Sequence, residues 1–527
     1  MLNPTYDYIV VGGGSAGCVL ANRLTENPQT TVLLLEAGSR DLRLEIQIPA
    51  AFSQLFRTHC DWAYQTEPQS KLHDRSLYWP RGKVLGGSSS LNASIYIRGH
   101  RWDYDRWQEL GNSGWGFSNL LPYFKKAEHQ ERGGSVYHGT GGPLNVTDRP
   151  YTSPLSHAFV AAARSIGLPY TEDFNTPEPE GVGYYQVTQK RGRRHSSATA
   201  YLKPCRQRSN LTVLTDARAT RLLWDGRWAV GVEFAREDGS TERVRTRREL
   251  ILCGGAVNSP QLLMLSGVGA GDRLQALEIP VVVDLPGVGQ NLQDHSVTGV
   301  VCECTQPISL EGAKTLANTL KYFLLGRGPL TSNVGEAGAF VKTRSNLTVP
   351  DLQLHFAPAY FVNHGFTKPK GYGFTLGSTP LRPHSRGYID LRSPDPLAAP
   401  IIEPNYLSEE ADWQVVRSGI ALSRQILQAS AFDAFRGAEF LPGIEVQSDG
   451  DIDEYIRAFT ESLYHPVGTC KMGNDRLAVV NDRLQVRGTR GLRVVDASIM
   501  PAIVSGNTNA PAIAIAEKAA DAIAGDR

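Results

Sequence analysis

Short runs of consecutive apolar residues alternate along this chain with stretches whose apolar positions recur every three or four residues. That pattern predicts buried strands interleaved with amphipathic helices. Tyr8-Ile9-Val10-Val11 and Val32-Leu33-Leu34-Leu35 are continuous enough to be strands covered on both faces, with a helical pattern over 18–24 between them. A strand-rich stretch begins at Leu211-Thr212-Val213-Leu214, continues through 229–234 and 249–253, and meets Gly254-Gly255-Ala256. From about 301 to 462 strands such as Gly387-Tyr388-Ile389-Asp390-Leu391 are interleaved with helices expected at 413–427 and 451–459. The first pattern returns with a strand from Leu492 to Val495 and a last helix at about 510–524. Between 38 and 155 the chain is rich in Gly, Pro, Trp and Tyr without regular period, which predicts long functional loops.

The return of the strand pattern at the end implies an α/β fold in two parts. One is a Rossmann-like dinucleotide domain, discontinuous in sequence and expected at 1–155, 203–300 and 463–527. The other, 156–202 and 301–462, is a sheet with helices that caps it and lines a substrate pocket shielded from water.

Gly12-Gly13-Gly14-Ser15-Ala16-Gly17 lies between the first apolar run and the first helix, and the second apolar run ends in Glu36. Placement makes the fingerprint specific. Gly12 permits the tight turn, Gly14 lets the backbone approach a pyrophosphate, Gly17 lets helix and strand pack closely, and the helix N-terminus attracts phosphate. Glu36 is positioned for ribose hydroxyls and would repel a 2′-phosphate, which leaves FAD or NAD and disfavours NADP.

Lys and Arg number 54 and Asp and Glu 53, so a net charge of +1 gives no case for a nucleic-acid partner. The basic runs at 190–194 and 243–248 read as solvated surface. Seven scattered cysteines without a CxxC pair, and no signal segment ahead of the first strand, point to reduced thiols, no metal centre and a cytoplasmic protein. No apolar stretch reaches the ~20 residues that span a bilayer, although peripheral attachment at the inner face of a membrane stays open.

Further glycine-rich segments follow. Arg81-Gly82-Lys83-Val84-Leu85-Gly86-Gly87-Ser88-Ser89-Ser90-Leu91-Asn92-Ala93 combines backbone access with hydroxyl and amide groups, and a helix expected to start at Pro260 ends at Gly267 in the segment from Gly255 to Gly269. With Leu285-Pro286-Gly287-Val288-Gly289-Gln290-Asn291-Leu292-Gln293-Asp294-His295 and His465-Pro466-Val467-Gly468-Thr469-Cys470-Lys471-Met472-Gly473, in this order, the chain resembles the glucose-methanol-choline (GMC) oxidoreductase family over almost its whole length.

The resemblance implies FAD as cofactor and oxidation of an alcohol by hydride transfer from its carbon to the flavin. His465 matches the family's base and Asn507 its partner; by residue pattern alone His465 is one of twelve histidines, most of which serve structure. A neutral imidazole suits the task because an alcohol carbon releases hydride readily only as its oxygen becomes alkoxide-like. Asn507 to Asn509 also fit a helix cap ahead of Pro511, whose positive end would face the flavin. Ser88, Asn92, Ala93 and Ile95 are implied near the flavin and main chain near Ala219 near the adenine. Ser15, Ala16, Ala37, Val84, Gly87, Asp496, Ala497 and Asn509 complete the implied cofactor set. Leu91 stands where some relatives carry a histidine bonded to FAD, so a non-covalent flavin is expected.

Glu336 matches a carboxylate that choline-oxidising relatives place near the trimethylammonium group, although by residue type it reads equally well as an ordinary surface or fold-stabilising carboxylate, and Val334-Gly335 replace the His-Phe of choline dehydrogenases. The expected substrate is therefore a neutral primary alcohol, aliphatic, polyether or arylalkyl, packed against Phe356, Tyr360 and Phe361. Choline dehydrogenase, a peroxide-forming alcohol oxidase, a redox-silent hydroxynitrile lyase and a plain NAD dehydrogenase are the competing readings. A quinone, a redox protein or oxygen could accept the electrons, and the oligomeric state is not legible.

Overall fold

The structure is a computed structural model, and it describes residues 5–525. Strand Thr5–Val11, helix Ser15–Leu24 and strand Val32–Leu35 form the opening βαβ unit. Both strands lie in a seven-stranded sheet ordered Leu211–Leu214, Val32–Leu35, Thr5–Val11, Thr241–Leu252, Trp228–Arg236, Ala217–Asp225. The first four run parallel, and their continuous apolar runs are covered on both faces. Leu492–Val494 adds a parallel strand beside the C-terminal half of Thr241–Leu252, with Leu250 opposite Leu492. The end of the chain thus returns to the sheet that its beginning built.

The second sheet is antiparallel and ordered Arg436–Leu441, Ser296–Cys304, Tyr372–Pro380, Leu352–Ala357, Ala337–Val341, Gly181–Tyr184. Strand Ser296–Cys304 runs through the expected division at 300/301, because the motif that ends at His295 leads straight into the sheet. Helices Glu410–Gln428 and Asp449–Phe459 lie close to their expected places.

Two expectations fail for identifiable reasons. The stretch 38–155 is not all loop: it holds helices Arg101–Glu109 and Phe117–Ala127, whose buried faces carry the aromatic residues Tyr104, Trp107 and Phe124, with Trp115 buried in the turn between them. Helix Gly255–Leu265 begins five residues ahead of Pro260, so the proline lies inside it. Pro260 has no N–H for the carbonyl four residues back, and that carbonyl, on Ala256, accepts a hydrogen bond from Thr469 Oγ instead (2.7 Å).

The first and last helices are fastened to each other. Glu517, fully buried on helix Asn509–Gly525, takes a two-pronged ion pair from Arg23 on helix Ser15–Leu24 (2.8 Å for each prong) and a hydrogen bond from Tyr201 Oη (2.9 Å). Removing one member of such a set leaves the other charged in a poorly solvated place, at a cost of about 3–5 kcal/mol. Arg23 keeps 17 % of its side chain in solvent, so the lower end applies. Glu517→Ala is expected to destabilise the protein by about 3 kcal/mol, read as a clear fall in Tm, whereas an unchanged Tm would show that the pair adds nothing.

Candidate active site

The glycine-rich turn is shaped by its neighbours. Gly12 has φ +107°, and a Cβ there would sit 2.5 Å from the carbonyl oxygen of Cys253; one on Gly17 would sit 1.9 Å from that of Gly12. Only glycine permits this contact between helix and sheet. Above the turn lies a narrow cavity of about 170 Å³ lined by Gly12, Gly14, Ser15, Ala16, Glu36, Ala37, Gly87, Ser88, Ala219, Asp496 and Ala497. Most of the sequence-derived cofactor set is thus gathered in one slot. Gly17 and Val84 lie behind its wall, Val84 packed among Ile46, Leu55, Cys60 and Leu91.

The slot's chemistry suits the phosphates and ribose of a dinucleotide. It starts at the N-terminus of helix Ser15–Leu24, where free N–H groups favour phosphate. Glu36 accepts hydrogen bonds from the backbone N–H of Gly13 and Gly38 (2.8 Å each), and burial pushes its carboxyl up to about 7. Asp496 is already engaged by Gly255 N–H (2.9 Å), Ser259 Oγ (2.6 Å) and Ser498 N–H (2.8 Å), so it fixes the wall more than it offers a free ligand.

Ser15, Gly82, Ser88, Gly255, Ala256 and Ala497 also border a second, larger cavity of about 760 Å³. The two cavities form one elongated site. Asn92, Ala93, Ile95, His465, Asn507 and Asn509 line its wide end. Asn509 Oδ1 accepts from Ser15 Oγ (2.7 Å), which brings the N-termini of the first and last helices to the same ligand space.

His465 sits on the loop that follows the short strand Glu461–Ser462. Tyr464 holds φ +70°, a strained value for a bulky residue, and is pinned by Arg81, which donates to its carbonyl (2.7 Å), and by contact with His364 Nδ1 (2.6 Å). Asp294 Oδ1 accepts from the His465 backbone N–H (2.6 Å), and burial pushes the Asp294 carboxyl up to about 6.

The protonation pattern of the imidazole follows from its partners. His295 Nε2 lies 3.0 Å from the carbonyl oxygen of Leu381, which can only accept, so Nε2 carries the proton. Burial pushes His295 down to about 4, so it is neutral and its Nδ1 is an acceptor. His465 Nδ1, 3.0 Å away, must then be the donor of that pair. His465 is itself held well below its ordinary value by burial, then by His295, His355 and Arg81. Its Nε2 therefore presents a lone pair, 3.1 Å from the Asn507 amide nitrogen that donates to it, and both groups face the cavity. Asn507 Oδ1 is buried without a protein partner.

Three of the four expected substrate residues stand elsewhere. Glu336 is fully buried off the cavity, where it accepts from Ser153 N–H (2.7 Å), Ser156 Oγ (2.6 Å) and Ser332 Oγ (2.5 Å). Those bonds place it over the N-terminus of helix Pro154–Ser165, a structural role for a carboxylate. Phe356 stacks on Phe159 at 4.9 Å, because alternation along Leu352–Ala357 sends His355 to the cavity and Phe356 to the opposite face. Tyr360 packs against Phe440, whereas Phe361 does reach the cavity wall. Arg194, expected in solvent, is buried beneath the second glycine-rich segment and donates to Asn92 Oδ1 (2.8 Å).

Sequence reasoning missed His295, His355, Arg81 and the aromatic pair Phe52 and Phe56, which complete the site. His355 was detectable as a polar residue on a buried strand. Arg81, Phe52 and Phe56 lie in the stretch expected to be irregular, where no period marks an inward face.

Residues 6–297 and 383–516 match the two family models described as GMC oxidoreductase. The chain is 48 % identical to mitochondrial choline dehydrogenase of Mus musculus over 99 % of its length and 89 % of the relative's. It is also 48 % identical to alcohol dehydrogenase [acceptor] of Pseudomonas putida, covering 98 % of this chain and 95 % of that one. Among solved structures, pyridoxine 4-oxidase from Mesorbium loti superposes with a TM-score of 0.90 at 35 % identity, covering 98 % of each chain. Formate oxidase, described with its FAD in Aspergillus oryzae, superposes with a TM-score of 0.94 at 28 % identity, covering 100 % and 99 %. The dinucleotide slot, the capped cavity and the similarity along the whole chain together establish that this protein belongs to the GMC oxidoreductases, FAD-dependent enzymes with a cofactor domain and a substrate domain.

Proposed function

We propose that the enzyme oxidises a neutral primary alcohol, aliphatic, polyether or arylalkyl, to its aldehyde, with His465 as base. The observation that carries this reading is the lone pair on His465 Nε2 facing the cavity beside the Asn507 amide. Bound FAD supplies the acceptor for the two electrons and hydrogen that leave the alcohol carbon. An alcohol oxygen that displaces the Asn507 amide from Nε2 gives its proton to that nitrogen and accepts the amide's hydrogen bond in its place as its negative charge grows. Protonation makes Nδ1–H a stronger donor, and His295 Nδ1 receives that bond without taking the proton.

Substrate charge is read from the cavity wall. Arg75 and Arg81 line it together with one carboxylate, Glu461, which pairs with Arg75 and with His364 (3.1 Å). Glu336 is out of reach, so no free carboxylate faces a quaternary ammonium among the described residues. Phe52, Phe56 and Phe361 offer apolar area to a chain or aryl group. The choline dehydrogenase similarity supports a second reading, in which those rings bind the cation.

Four outcomes check the proposal. His465→Ala is expected to slow anaerobic bleaching of the flavin by alcohol ~10²–10⁴-fold with flavin content unchanged; an unaltered rate removes His465 from the chemistry. Because burial favours the neutral imidazole, the bleaching rate of the native enzyme should stay flat as pH falls past 6.5 and drop only below it, and an acid limb at or above 6.5 contradicts the assignment. Across an alcohol panel, kcat/KM for octanol or benzyl alcohol should exceed that for choline by about ten-fold or more, whereas a preference for choline selects the second reading. Leu91 lines the cavity and offers no nucleophile, so acid precipitation should leave the flavin in the supernatant; yellow protein in the pellet would disprove non-covalent binding.

A further inference from the structure

Helix Leu316–Leu325 is turned inside out. Amphipathic helices on folded proteins bury their apolar stripe, yet here Leu316 (76 % exposed), Leu320 (50 %), Phe323 (43 %) and Leu324 (76 %), spaced i, i+4, i+7 and i+8, face solvent. Leu325, 67 % exposed, extends the patch. Tyr322 is the buried residue of the helix, and its hydroxyl donates to the carbonyl of Gln47 (2.9 Å).

Cations surround this stripe. Lys314, Lys321 and Arg327 are exposed on and beside the helix, and Lys190, Arg191 and Arg193 are exposed on the hairpin that abuts its C-terminal end. The abutment is close: a Cβ on Gly192 would lie 2.1 Å from the carbonyl oxygen of Gly326. None of the six cations is in an ion pair among the described residues. A groove of about 1500 Å³ has Phe323, Leu324 and Leu325 on one lip and Lys190, Arg191 and Arg193 on the other. The nearby acids are engaged, Asp41 beside Lys203 and Arg206, and Glu311 by Tyr360 N–H (2.8 Å) and Ser309.

We propose that this face docks the enzyme on an anionic phospholipid bilayer, with the leucines among the acyl chains and the six cations at the headgroups. The chemistry selects this occupant. Leucines on one helical face ringed by Lys and Arg match the interface of a charged bilayer, whereas a second copy related by a two-fold axis would set these cations against themselves. A relay of contacts links the turn ahead of this helix to the catalytic cavity. Glu311 lies in the turn Leu310–Ala313 that leads into the helix and holds the backbone of Tyr360, whose ring packs against Phe440 at 5.8 Å, and Phe440 lines the cavity while 40 % exposed. A docked enzyme would draw alcohols that partition into the bilayer.

Sedimentation of the holoenzyme with vesicles tests this and reads no turnover, so its outcome is separate from the substrate and base assignments. Vesicles containing phosphatidylglycerol should carry the protein down, less so at high salt, and vesicles of phosphatidylcholine alone should carry little. Leu320→Glu with Leu324→Glu should weaken binding on the order of a hundred-fold while flavin content and bleaching by a soluble alcohol stay as in the parent. Lys321→Glu with Arg327→Glu should weaken the preference for anionic vesicles, and an unaltered preference would remove these cations from the docking face. Failure of the parent to sediment, equal sedimentation with both vesicle types, or unaltered binding by the leucine variant overturns the proposal. A dimer in solution that the leucine variant splits would overturn it too, by assigning the face to a second copy.

Discussion

Everything at the wide end of the site depends on two neutral imidazoles in contact. His295 and His465 meet through Nδ1 atoms 3.0 Å apart, a spacing that permits one proton between them and forbids two without strong repulsion. Burial depresses both, and the Leu381 carbonyl, which has no proton to give, orients His295. One backbone acceptor at the far end of this chain therefore decides which nitrogen of His465 carries the proton and which keeps its lone pair. His355 is pushed down to about 3 by burial and then by His295, so it too is neutral beside the pair.

That contact exists because the two sheets and the returning C-terminus converge. His295 lies at the entry of strand Ser296–Cys304, His465 on the loop after the strand that pairs with it, and Asn507 just ahead of the last helix. The last helix is in turn fastened to the first through Glu517 and Arg23 at one level and Ser15 and Asn509 at another. Two helix N-termini consequently face one elongated cavity, favouring phosphate in the narrow part and negative charge near the wide part.

The wide end is marked by what is withheld from it. Glu336 has the charge to attract a cation, but it is spent on two serines and a helix N-terminus. Apolar rings and a pair of arginines remain along the wall, with Glu461 committed to Arg75 and His364. The same division of charge and apolar area recurs outside, where exposed leucines and cations share the surface around helix Leu316–Leu325.

The sequence by itself determined the opening βαβ unit, the glycine positions, the cofactor class and the return of the last strand. Each is a local signal: a run of apolar residues, a turn that only glycine can make, or a carboxylate at the end of a strand. His465 and Asn507 were singled out through the family resemblance alone, since nothing in their immediate neighbours marks them. Only the tertiary structure decided which proton His465 carries, because the three groups that decide it are 84 to 170 residues apart in the chain or come from a backbone carbonyl. It also decided that Phe356 and Glu336 leave the pocket while Phe52, Phe56 and Arg81 enter it. Strand alternation fixes which face a side chain takes, but which face meets the ligand depends on how the sheets pack, and that is a property of the whole fold.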